Sequence, residues 1–354
     1  MVEKVGLEIG GAVIKNRAYA QKIQEMIGGK ATHPVCNLPG GVSKALSEEE
    51  RKKIEEMGRS FLEISKFSLQ LVDDLILANK TYKELITGNT YRHETYYMGT
   101  VDENNNLNFY EGDVRVVNQH GKEYAKFNPK DYLNHIGEHV EPWSYLKFPY
   151  LKNVGWKGLI DGADSGIYRV NSLARLNATE GLPTPLAQKA YEKMFEVLGE
   201  KPAHATLAFH WARIVELMYA SERLLELASD PKITSKEIRA LPTATPTEGV
   251  GCVEAPRGTL FHHYWTDEEG MVTKVNLIVA TGHNNGPICM SVKKAAQSLI
   301  KKFQVKEGLL NMVEMAFRAY DPCFACATHA LPGQMPLEVR IYDSQKNLFQ
   351  RLKR

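Results

Sequence analysis

No apolar run in this 354-residue chain approaches the length of a bilayer-crossing helix, and Met1-Val2-Glu3-Lys4 lacks the apolar core of a secretion signal. Charge of one sign is missing too. The 44 basic residues nearly cancel the 42 acidic ones, so bulk electrostatics draw the chain to neither nucleic acid nor anionic lipid. Cysteine is sparse and odd in number, at positions 36, 252, 289, 323 and 326, which is not the framework of a disulfide-stapled secreted domain. Internal repeats, low-complexity tracts and Ser/Gly/Pro-rich linkers are absent. These absences predict a cytoplasmic protein that acts through a local site, with no nucleic-acid or membrane partner.

With 43% hydrophobic and 24% charged residues, the chain has the composition of a globular domain. Helical spacing of apolar residues predicts a helix from about Ala12 to Ile27, stopped by Gly28-Gly29, and a loop through Pro39-Gly40-Gly41. Ser47 and Glu50 form a capping box with Leu46 as staple, opening a helix to about Ala78. Residues from about 95 to 130 change character, with short β-type runs such as Asp113-Val114-Arg115-Val116-Val117, and predict an inserted set of hairpins decorating a helical domain. Helices are predicted again over Pro185–Leu198 and Pro202–Ser229, the latter apolar enough to be mostly buried. A second β unit spans Gly258 to Ala280 around the turn Asp267-Glu268-Glu269-Gly270, followed by a loop, Thr281 to Gly286. Two last helices, about Ile288–Lys302 and Lys306–Tyr320, end at Pro322, which biases its predecessor away from helical geometry. The expected fold class is α+β, predominantly helical, with a single domain over 1–329.

Asp321-Pro322-Cys323-Phe324-Ala325-Cys326-Ala327-Thr328-His329 sets two thiols three positions apart and an imidazole three beyond, a spacing that lets both sulfurs reach one soft metal. A pair of buried cysteines, or half of a zinc site, would also satisfy the spacing. The surrounding residues are more specific. Asp321 to His329 resembles the Asp-Pro-Cys-x-x-Cys-x-x-His pattern that closes the metal site of nickel-iron hydrogenase large subunits. Gly28-Gly29-Lys30 through His33-Pro34, and Glu254-Ala255-Pro256-Arg257-Gly258, resemble two further motifs of that family. In detail the chain is most similar to the viologen-reducing, F420-non-reducing branch associated with heterodisulfide reductase, and to its bidirectional and sulfhydrogenase relatives.

The resemblance implies a hydrogenase large-subunit-like helical core and reversible heterolytic cleavage of H2 at a Ni-Fe centre carrying CO and CN ligands. It makes Cys323 a terminal nickel ligand, Cys326 a bridge to iron, and His329 a ligand of magnesium or another cation. It hangs Arg257 over the metals with Asp321 holding it, and adds Glu254 and Pro256 from the same motif. Thr281 and Asn284 would hydrogen-bond the cyanides. His33 would line an electron exit, although an N-terminal loop histidine serves as readily to cap a helix. The implied partners are an iron-sulfur small subunit with its clusters, an electron-transfer subunit, heterodisulfide reductase, nickel chaperones and a maturation endopeptidase that removes the extension 330–354.

The family's other cysteine pair, Arg-x-Cys-Gly-x-Cys, and a proton-relaying glutamate near it do not occur in this sequence. The sequence is thus expected to carry the C-terminal half of the metal site. A truncated start, a separate polypeptide supplying the other half, or a degenerate paralogue acting as a structural subunit of a redox complex would each account for it.

Overall fold

The computed structural model describes residues 2–301, 307–324 and 338–353. Helix α1 (Val2–Gly28) begins earlier than the periodicity predicts and is broken at Gly6, whose φ of 84° no helix accepts. The segment expected to be a plain loop holds a small hairpin, β1 (Asn37–Leu38) with β2 (Gly41–Val42). Ser47 caps α2 (Glu48–Leu71) through the full capping box, worth about 1 kcal/mol, and one π-helical turn, Val72–Leu77, prolongs it to the expected end. Helix α3 (Lys80–Thr87) follows.

The β-rich stretch is no decoration. Strands β3 (Tyr96–Val101), β4 (Asp113–Val117) and β5 (Glu123–Phe127) are joined by a later strand, β8 (Tyr168–Arg169), which pairs parallel to β3. The order is β5-β4-β3-β8, and every residue of β3 is buried. Between β5 and β8 lie the short helix α4 (Tyr132–His135) and the hairpin β6 (Ile136–Val140) with β7 (Lys147–Leu151). A strand buried on both faces carries no polar alternation, so β3 reads as part of the core.

The helical layer follows. Helix α5 (Ser172–Ala178) is buried at all seven positions and shows no periodicity from which to predict it. Helix α6 (Pro185–Leu198) has the expected bounds, with proline in its first turn and Gly199 in the left-handed region behind it. The stretch from Pro202 opens with a short 3-10 turn, and α7 (Phe209–Ser229) packs along α2, α5 and α6.

The second β unit has three strands where two runs were read: β9 (Glu248–Ala255), β10 (Gly258–Thr266) and β11 (Val272–Ile278), antiparallel in the order β11-β10-β9. The expected loop after it is largely helical and buried, with α8 (Ala280–His283) leading into α9 (Asn285–Leu299). Helix α10 (Glu307–Arg318) packs on α9, and β12 (Glu338–Tyr342) pairs with β13 (Leu348–Lys353).

One apolar core joins Leu173, Met194, Trp211, Met218, Ile288 and Tyr320, drawn from several helices and the chain beyond α10. A second, of Met98, Val116, Tyr168 and Phe261, lies between the two larger sheets. With 46% helix and 21% strand, the chain is α+β and predominantly helical, as expected.

Candidate metal centre

Strands β9 and β10 pair so that Ala255 faces Gly258, which leaves Pro256-Arg257 as a two-residue turn at the hairpin tip. Gly258 has φ of 131°, and a Cβ there would lie 2.2 Å from the Val170 side chain. Only glycine lets the hairpin return so close to the sheet. The tip is thereby pressed against the chain leaving β8, with Arg257 at its end.

Helix α10 delivers the other half. The carbonyls of the three residues that follow its end are each taken by a side chain. Arg213 on α7 donates to the carbonyl of Ala319, Asn171 Nδ2 to that of Tyr320 at 2.7 Å, and Arg257 Nε to that of Asp321 at 2.5 Å. Asp321 itself sits at φ of 48°, a left-handed value that turns the chain sharply into Pro322-Cys323. Arg257 Nη2 also lies 3.1 Å from Asp321 Oδ2. The Cys323 amide donates to Thr281 Oγ1 at 3.3 Å, so α8 braces the cysteine from the opposite side.

Arg257, Asp321, Cys323 and Thr281 are therefore brought together in the structure. Cys326 and His329 lie outside the described residues, as does the start of the 330–354 extension. Among the described residues no group of three or more His, Cys, Asp or Glu side chains is placed to hold a metal ion.

Two other candidates have different employment. Asn284 accepts from the Val170 amide at 3.0 Å and donates to the Val170 carbonyl at 3.3 Å, so its side chain braces that strand end. Glu254 is fully buried and accepts from Arg175 at 2.9 Å, the Thr100 amide at 2.9 Å and Thr259 Oγ1 at 2.8 Å. Burial pushes its carboxyl above the ordinary value against the pull of Arg175. Through these contacts Glu254 ties the hairpin to β3 and α5. The Pro256 carbonyl accepts from Arg175 at 3.3 Å. His33 stands exposed after α1 with φ of 54°.

Sequence reading missed Arg175, Arg213 and Glu216. Each is a charge set among mostly apolar neighbours, and such a charge, once buried, demands a partner. That was the available signal.

The nickel-dependent hydrogenase family matches residues 164–329. An iron-sulfur subunit of the F420-non-reducing hydrogenase of Archaeoglobus profundus is 50% identical over all 354 residues, which span 73% of its length. This chain belongs to the nickel-dependent hydrogenases. It is a large subunit of a nickel-iron hydrogenase, an oxidoreductase acting on H2. In Methanococcus voltae, the matching polypeptide of the vhc F420-non-reducing hydrogenase is 42% identical over 94% of the hydrogenase chain described here and 68% of its own. An NAD+-reducing [NiFe]-hydrogenase in the H2-reduced state superposes with a TM-score of 0.84 at 32% identity, over 93% of this hydrogenase chain and 70% of that one. The Ni-Fe-Se hydrogenase of D. vulgaris Hildenborough, at 20% identity and a TM-score of 0.64, shares the fold.

Proposed function

We propose that Cys323 and Cys326 hold a Ni-Fe centre with CO and CN ligands, and that Arg257, fixed by Asp321, is the catalytic cation above it. The observation that carries this reading is the double contact of Arg257 with Asp321, two residues from Cys323. The donor set fits such a centre: soft sulfur suits low-valent metals, and a fixed guanidinium and a hydroxyl suit anionic diatomic ligands.

When bound, the centre supplies the soft metal pair at which H2 is split into two protons and two electrons. The protein supplies orientation and charge. With Nε and Nη2 both tied to Asp321, the guanidinium plane is set before any substrate arrives, so its charge acts at no cost of reorganisation. It stabilises negative charge on the Cys323 sulfur and restrains water at the open face. Thr281 Oγ1 fixes the Cys323 backbone, which keeps the sulfur in register with Arg257. His329 would hold magnesium or another cation.

The chain works within a multi-subunit hydrogenase and so has partners. We assign it an iron-sulfur small subunit to accept its electrons, with heterodisulfide reductase and an electron-transfer subunit beyond, in the cytoplasm. Residues 1–329 form the working domain in this reading, and the β12–β13 pair belongs to the tail that an endopeptidase removes after nickel insertion.

Metal analysis and infrared spectroscopy of the complex purified from its host test this. One nickel per copy of this chain, together with iron-bound CO and CN stretches, is expected. An intact complex without those bands would overturn the reading.

A further inference from the structure

Arg175, on α5, has all five of its N–H groups engaged, which is the full donor capacity of a guanidinium. Nε and Nη2 donate to the two oxygens of Glu216 at 2.6 and 2.7 Å. Nη1 donates to Glu254 at 2.9 Å and to the Ala255 carbonyl at 2.8 Å, and Nη2 reaches the Pro256 carbonyl at 3.3 Å. The side chain is 2% exposed. Burial alone would disfavour its charge, but Glu216 and Glu254 more than offset that and hold the cation firmly protonated. Its targets are not scattered: two are carboxylates on α7 and β9, and two are the carbonyls that open the turn carrying Arg257.

We propose that Arg175 is a positioning residue for hydrogen turnover. Through the Ala255 and Pro256 carbonyls it sets the angle at which the hairpin tip presents Arg257, and through Glu216 it ties that angle to α7, whose Arg213 holds the end of α10. The hairpin and the helix end that face each other across the site are thus keyed to one buried guanidinium. This rests on the reading of Arg257 as the catalytic cation. A lysine in place of Arg175 keeps the charge and loses the planar fork, so it cannot reach all four partners at once.

The test is a double-mutant cycle in the assembled complex, with Arg175→Lys, Arg257→Lys and both together, reading kcat and KM for H2 oxidation with a viologen acceptor alongside nickel and iron content. The expected result is a loss in kcat of about tenfold or more for Arg175→Lys at unchanged metal content and KM, a larger loss for Arg257→Lys, and a double variant no slower than Arg257→Lys. Multiplying losses, or a kcat that falls only in proportion to nickel, would overturn the proposal. Wild-type turnover by Arg257→Lys would instead sink the reading of Arg257 itself. If Arg175→Lys does not assemble, Glu216→Gln, which keeps the shape and drops one charge, takes its place in the cycle with the same two outcomes.

Discussion

Arg257 holds Asp321 by two bonds, side chain to side chain at 3.1 Å and side chain to backbone carbonyl at 2.5 Å. Only the first depends on the carboxylate. Asp321→Asn should therefore leave the turn into Cys323 in place while freeing the guanidinium to swing. The expected outcome is a loss of roughly 100-fold in kcat, the scale for disturbing one preorganised polar group at a reacting centre, at unchanged nickel content. Thermal stability should move little, because an ion pair this exposed is worth at most about 1 kcal/mol. Steady-state H2 oxidation and a melting curve check both halves.

Gly258 is where the hairpin tip meets the sheet, with φ of 131° and no room for a Cβ beside Val170. Gly258→Ala should destabilise the chain by about 2 to 4 kcal/mol, from backbone strain and overpacking together. It should also slow turnover, since Arg257 is the preceding residue. A denaturant midpoint equal to that of the parent would contradict this account of the tip.

Stability should fall in mild acid. Burial, aided for His204 by the neighbouring Arg169, pushes His204 and His283 down to about 3 from an ordinary 6.5. Burial and Arg169 also push His93 well below that ordinary value. A histidine depressed in the fold binds its proton first in the unfolded chain. The stability it contributes is fully present above pH 6.5 and drains as pH falls from there toward 3, at up to about 1.4 kcal/mol per pH unit per residue. Denaturant midpoints at about pH 7.5, 6 and 5 should drop in that order, and a flat or rising series would contradict the buried neutral assignment.

Much of the helical frame was legible because its signals are local. Ser47-Glu50 and Pro185 mark helix starts that the structure keeps, and Pro322 ends the α10 segment where expected. What failed to show was long-range or cancelled by burial. Strand β9 is diluted by Gly249 and Gly251, α5 is buried all round, and β3 lacks alternation because the sheet is covered on both faces. Thr281 to Gly286 looks like a turn by composition, yet Asn284 spends its amide on the Val170 peptide and the segment lies inside. At the site, the resemblance of two motifs to the hydrogenase family pointed to Arg257, Asp321 and Cys323. The five donors of Arg175 involve residues up to 81 positions away, and no single-sequence pattern carries that pairing.

In the proposed function, a cation fixed by Asp321 acts on H2 beside Cys323. Isotope exchange between H2 and deuterated water, followed in the assembled complex carrying Arg257→Lys, tests it most directly because that exchange needs no electron exit. Unchanged CO and CN stretches with exchange slowed about 100-fold or more are expected. Exchange at the parent rate with those bands intact would contradict it.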